Sequence, residues 1–269
     1  MIREPFFAQA GWYPSDPASL HATLQRVMAP PEGVAPQRCI GVMSPHAGYR
    51  YSGGVAGALF ARVEVPERVI VLSVNHRGYG RPCAVWPDGH WAIPGALVPV
   101  DEPMASALLA ASPLLRADPV AHRAEHSGEL QLPFLHARNP GVRVTPVALR
   151  HLSLDDALAL GDAIAGAVRD AGDVLIVASS DMNHYESAAA TLRKDELALA
   201  ELRALDPAAL YRVVADNDIS MCGVVPAVVM LRAAIALGAT AARVVSHTHS
   251  GAITGDDAEV VGYAGVMVW

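Results

Sequence analysis

The stretch Val174-Leu-Ile-Val-Ala-Ser-Ser-Asp-Met-Asn-His-Tyr185 decides the fold. Val174 to Ala178 are all apolar, the composition of a short strand buried on both faces. They run straight into Ser179, Ser180, Asp181, Asn183 and His184, polar groups that cannot continue a core. In α/β proteins, chemistry collects at the carboxyl end of such a strand. Asp181 and His184 are close enough in sequence to share one loop, so the carboxylate can orient or charge the imidazole. The alternative is a polar turn that carries a helix cap.

Working outward, the pattern recurs. Residues 38–43 predict the first strand, residues 44–54 a glycine-rich polar loop and residues 55–63 a helix. Residues 68–73 are a β-branched run that closes in Val74-Asn-His-Arg-Gly78. Residues 80–100, rich in Pro and Gly, predict short antiparallel strands. The spacing predicts helices over 15–28 (ending before Pro30-Pro31), 103–111, 128–138, 154–169, 188–205, 207–215 and 221–237. Strands are predicted over 142–149, 242–249 and 259–268. No linker or internal repeat divides the chain, so residues 1–269 are expected to form one domain. The alternation implies a three-layer α/β fold, its central sheet mostly parallel or mixed, with helices on both faces.

Composition narrows the function. Hydrophobic residues are 52% of the chain and charged residues 17%, which excludes a disordered polymer. A net charge of −7 and no basic patch argue against nucleic acid as a partner. The N-terminal residues do not read as a signal peptide, and no apolar run approaches the ~20 residues of a membrane helix. A cytoplasmic protein without a membrane partner is expected. Cys39, Cys83 and Cys222 form no CxxC pair, which fits a reducing compartment. GxSxG, GxxxxGK[ST] and HExxH are missing, so the common hydrolase, nucleotide and zinc-peptidase readings fall away.

His46 follows the first predicted strand and His76 the next. Neighbouring strands would bring both imidazoles, with His184, to one sheet edge, an arrangement suited to a metal. Cys222, where a loop enters a helix, is either a thiolate ligand or a small buried hydrophobe. Cys39 and Cys83 read as buried hydrophobes. His126 and Glu129 read as pocket lining and His122 as surface. His247 and His249 share one strand face and read as solvated.

Five motifs taken together resemble the Memo family. They are Ser44-Pro-His-Ala-Gly-Tyr-Arg-Tyr-Ser-Gly53, Asn75-His76, Glu125-His-Ser-Gly-Glu-Leu-Gln-Leu-Pro-Phe134, Ser179-Ser-Asp-Met-Asn-His-Tyr185 and Met221-Cys-Gly223. The opening Gly11-Trp-Tyr13 and the closing Val260-Val-Gly-Tyr263 also fit. The resemblance is to the prokaryotic branch, the protein B component of the AmmeMemoRadiSam system. It implies a fold similar to the class III extradiol dioxygenases and radical-SAM system components as partners. It further implies His46, His76 and Cys222 as ligands of one transition metal, iron or copper before zinc. Asp181 and His184 would be the catalytic pair beside that metal, with Tyr49, His126 and Glu129 on the pocket wall. The expected function is a redox or dioxygenase-like reaction on an unknown small molecule. The alternative is a non-enzymatic module that binds a peptide or protein in the same cleft.

Overall fold

The computed structural model describes residues 1–29, 33–169 and 171–269. Four parallel strands form its centre, in the order Gly41–Ser44, Val174–Ser179, Arg68–Val74 and Arg143–Leu149. Cys83–Val85 extends the sheet antiparallel beyond Arg143–Leu149. On the other side, Val260–Val268 runs antiparallel to Gly41–Ser44 and carries Ala242–His249 and His184–Glu186. The sheet is therefore mixed, with antiparallel pairing toward its ends.

Alternate residues of these strands feed two separate cores. Met43, Ile70, Leu72 and Ile176 pack with the helices Leu154–Arg169 and Val224–Ala236. Val42, Val69, Val71, Leu175 and Val177 point to the opposite face, toward the helices Pro17–Val27, Tyr49–Phe60 and Leu132–Arg138. A sheet apolar on both faces needs helices on both, and the three-layer α/β architecture follows.

Most expected elements lie within a few residues of those observed. One helix does not: it starts at Tyr49 rather than at residue 55. Gly53 and Gly54 read as loop residues yet lie inside this helix; Gly57, already within the expected helix, serves close packing, because a Cβ there would run into the Val27 carbonyl. The expected first strand is split, with Gln37–Arg38 pairing Val63–Glu64 and Gly41–Ser44 joining the main sheet. The strand Ile2–Arg3, beside His90–Ile93, has no periodic signal in sequence. Pro30-Pro31, read as a helix stop, lie outside the described residues; the helix before them ends at Val27. Among the described residues, no helix is long and apolar enough to cross a membrane.

Candidate functional site

Three of the four parallel strands deliver polar residues to one sheet edge. Ser44 and Ser179 stand opposite each other in register, so His46 and Asp181, two residues further on, emerge side by side. His76 follows the next strand, Arg68–Val74. His184 arrives by a different route. Val260–Val268 continues past the end of Gly41–Ser44 and there pairs Val261 with His184, setting it over the same edge. The loop before helix Val224–Ala236 adds Cys222, and the loop after the short helix Val120–Arg123 adds His126.

These residues line a cleft of about 810 Å³ whose wall also holds Trp12, Tyr51 and Tyr185. Donor atoms of His46, His76 and His126 all lie within 4.8 Å of one another. Cys222 stands outside that mutual group, though its Sγ is 3.2 Å from His46 Nε2.

Two of the imidazoles have fixed tautomers. The Ser179 hydroxyl donates to Ser127 O at 2.7 Å, so its lone pair is left to accept from His46 Nδ1 at 2.9 Å. Glu125 Oε1 accepts from His76 Nδ1 at 2.9 Å, and Oε2 accepts from the His76 backbone N–H at 2.8 Å. With both Nδ1 positions protonated, each ring carries its lone pair on Nε2, and that of His46 faces the Cys222 thiol. His126 differs: its Nδ1 is buried, has no hydrogen-bond partner among the described residues, and lies 3.3 Å from Glu125 Oε1.

The charge state suits a cation. Burial, then the neighbouring His76, pulls His46 down to about 3. Burial, then His46, does the same to His126, also to about 3. Both rings are neutral near pH 7, the form that binds metal. Burial alone would raise Glu125, but the hydrogen bond and charge of His76 hold it down to about 2. Burial and then the Asp181 carboxylate push the Cys222 thiol up, against the lowering expected at a helix N-terminus. Cys222 is thus a thiol until something positive displaces its proton. Neutral imidazoles with Nε2 lone pairs turned to the cleft, an acidic anchor behind them and an adjacent thiol fit a transition metal.

The expected catalytic pair is arranged differently. Asp181 Oδ1 accepts from the His46 backbone N–H at 2.7 Å, and no hydrogen bond joins Asp181 to His184 among the described residues. His184 is placed by its backbone instead, which donates to Ser220 Oγ at 2.7 Å. Tyr185 beside it is exposed and takes a left-handed φ of 61° at the cleft wall, a strained conformation for a non-glycine residue.

Other sequence readings need correction. Glu129 is fully buried behind the wall, where Phe7 N, Ala8 N and the Tyr13 hydroxyl donate to its carboxylate and Arg3 pairs with it. Tyr49 also lies outside this cleft, its hydroxyl donating to Leu130 O at 2.7 Å. His122, expected at the surface, is buried with its Nε2 at 3.2 Å from Ala84 O. His247 is paired with the buried Asp195 at 2.8 Å instead of being solvated. The anchoring residues Glu125 and Ser179 were missed because a carboxylate behind a histidine leaves no spacing signal across distant segments. Trp12 had only the Gly11-Trp-Tyr13 motif to mark it.

Comparison with known proteins places this chain in a family. The family described as Memo-like protein matches residues 3–267. A MEMO1 family protein of Thermotoga neapolitana is 38% identical, and the alignment covers 100% of both chains. One from Aquifex aeolicus is 37% identical over 99% of this chain and 98% of its own. One from Methanopyrus kandleri is 34% identical over 99% of each. A crystal structure of an uncharacterized protein from Escherichia coli K12 shares the fold, with a TM-score of 0.57 and 14% identity. It aligns over 84% of this chain and 98% of that one. With the family match and these relatives running the length of the sequence, the chain belongs to the Memo family.

Proposed function

We propose that the cleft binds one transition metal and supports a redox, dioxygenase-like reaction on a small molecule. The observation that carries this reading is the convergence of His46, His76 and His126, from three separate segments, on a space less than 4.8 Å across. His46 and His76 would be the fixed ligands, because Ser179 and Glu125 lock their tautomers. Cys222 would supply the soft donor that favours iron or copper over magnesium or calcium, with zinc as the third choice. His126 would hold a further ligand position. A metal so bound supplies Lewis acidity and electron exchange.

The chain's own residues would do the rest. Trp12, Tyr51 and Tyr185 offer aromatic walls to an organic substrate. His184, partly exposed on the cleft wall, would move a proton to or from that substrate. Asp181 would position His46 and modulate Cys222 rather than orient His184. Radical-SAM system components are proposed as the partners that supply or consume the substrate.

The test is oxygen uptake by metal-loaded protein across a set of small reducing substrates, with His184→Ala beside it. A general acid or base contributes roughly 10²–10⁴ in rate. His184→Ala should therefore lose turnover by about that factor with its metal content intact. Turnover unchanged in His184→Ala would remove the residue from the chemistry. Peptide affinity without oxygen uptake would favour the binding-module reading.

A further inference from the structure

We propose that the N-terminal segment, residues 1–13, is a working part of the metal centre and acts by holding His126 in place. This rests on the metal reading above.

His126 is the imidazole that hydrogen bonding does not orient. Ser179 fixes His46 and Glu125 fixes His76, but among the described residues His126 Nδ1 has no hydrogen-bond partner. Packing must do that work. The His126 ring lies 4.6 Å from the Trp12 ring and 5.4 Å from Phe7, centre to centre, and it stacks on His76 at 4.6 Å. Trp12 and Phe7 themselves meet edge to face at 5.2 Å. Both belong to the N-terminal segment.

That segment is anchored by buried charge. Glu129 takes hydrogen bonds from Phe7 N at 2.9 Å, Ala8 N at 3.2 Å and the Tyr13 hydroxyl at 2.9 Å, and pairs with Arg3 at 2.6 Å. Arg3 also donates through Nε to His122 O at 2.9 Å and through Nη2 to Glu125 O at 2.6 Å. One guanidinium therefore grips both sides of the loop that carries His126. Tyr49 N closes the far end of the segment by donating to Trp12 O at 2.8 Å. Breaking a buried, hydrogen-bonded charge pair is costly, so the clamp holds the loop and its aromatic cover as one unit. Trp12 is thus a positioning residue for a ligand and also forms part of the cleft wall.

The test is titration of chelator-stripped protein with Co²⁺, whose visible absorption reports its ligand geometry. Positioning groups around a metal ligand typically contribute about 10–100-fold in affinity. Trp12→Ala should weaken Co²⁺ binding by about that factor and alter the spectrum, and Trp12→Phe, which keeps a ring against His126, should restore both. His126→Ala should mimic Trp12→Ala, and the double variant should be no worse than His126→Ala alone. Trp12 is only partly buried, so these variants test the idea without opening the buried Glu129–Arg3 pair. Wild-type affinity and spectrum in Trp12→Ala, or fully additive losses in the double variant, would overturn the proposal. Failure of the wild type to take up Co²⁺ would overturn the metal reading beneath it.

Discussion

The backbone N–H of His46 donates to the Asp181 carboxylate at 2.7 Å, tying together the loops that follow two neighbouring strands. Asp181 is buried, and burial raises its carboxyl above the ordinary range although His46 N–H opposes that shift. On its other side, the Asp181 backbone N–H donates to Cys222 Sγ at 3.3 Å. One residue thus sets the position of a histidine and the charge of a thiol.

Replacing Asp181 by Asn keeps an acceptor for His46 N–H and removes the negative charge beside Cys222. Asp181 is the second cause, after burial, of the raised thiol. In metal-free protein, Asp181→Asn should move the pH midpoint of Cys222 alkylation by iodoacetamide downward, while burial keeps it above that of a free thiol. An unmoved midpoint would show that the carboxylate does not govern the thiol.

His122 gives a pH prediction away from the cleft. Burial, then the charge of Arg3, lowers its pKa from 6.5 to about 3. As pH falls below 6.5 the unfolded chain takes up this proton and the folded chain does not. The stabilisation is whole above that value and drains away as pH falls toward 3, at most about 1.4 kcal/mol per pH unit. His46 and His126 act in the same direction when metal-free. Urea midpoints should fall between about pH 7 and pH 5, where few carboxylates titrate. In His122→Gln that fall should be smaller; an identical fall would mean that His122 is not buried neutral.

Gly223 packs its α-carbon against the ends of the central loop. A Cβ there would collide with the Ser179 carbonyl and the Ser180 side chain. Gly223→Ala should cost about 1–3 kcal/mol of stability, as overpacked cores do. It should also shift Cys222 away from His46. The measurement is a denaturant midpoint, and a midpoint equal to wild type would show that this corner of the site is slack.

Residues that directly follow a strand were legible in sequence. His46, His76 and Asp181 each lie within two residues of a buried strand end, and parallel pairing makes such ends converge. His126 follows the short helix Val120–Arg123 rather than a strand, so it read only as pocket lining and its approach to the other imidazoles had no periodic signal. Glu129 looked like a pocket acid because its partners, Arg3, Phe7 and Ala8, stand far from it in the sequence, near the N-terminus. Gly53 and Gly54 read as a loop, since the backbone freedom of glycine suits a loop and nothing local shows that the helix already runs through them. His247 read as solvated because nothing local discloses that Asp195, on the helix Ala188–Arg203, lies beneath it.

The central claim is that His46 holds a metal and His184 does not. Metal content by elemental analysis, on protein purified without oxygen, tests it most directly. The wild type should carry about one equivalent of iron or copper, zinc being the next choice, and His184→Ala should keep it. His46→Ala should lose most of it, since removing one of so few protein ligands leaves a transition metal weakly held. A wild type without metal, or equal retention in His46→Ala and His184→Ala, would contradict the account.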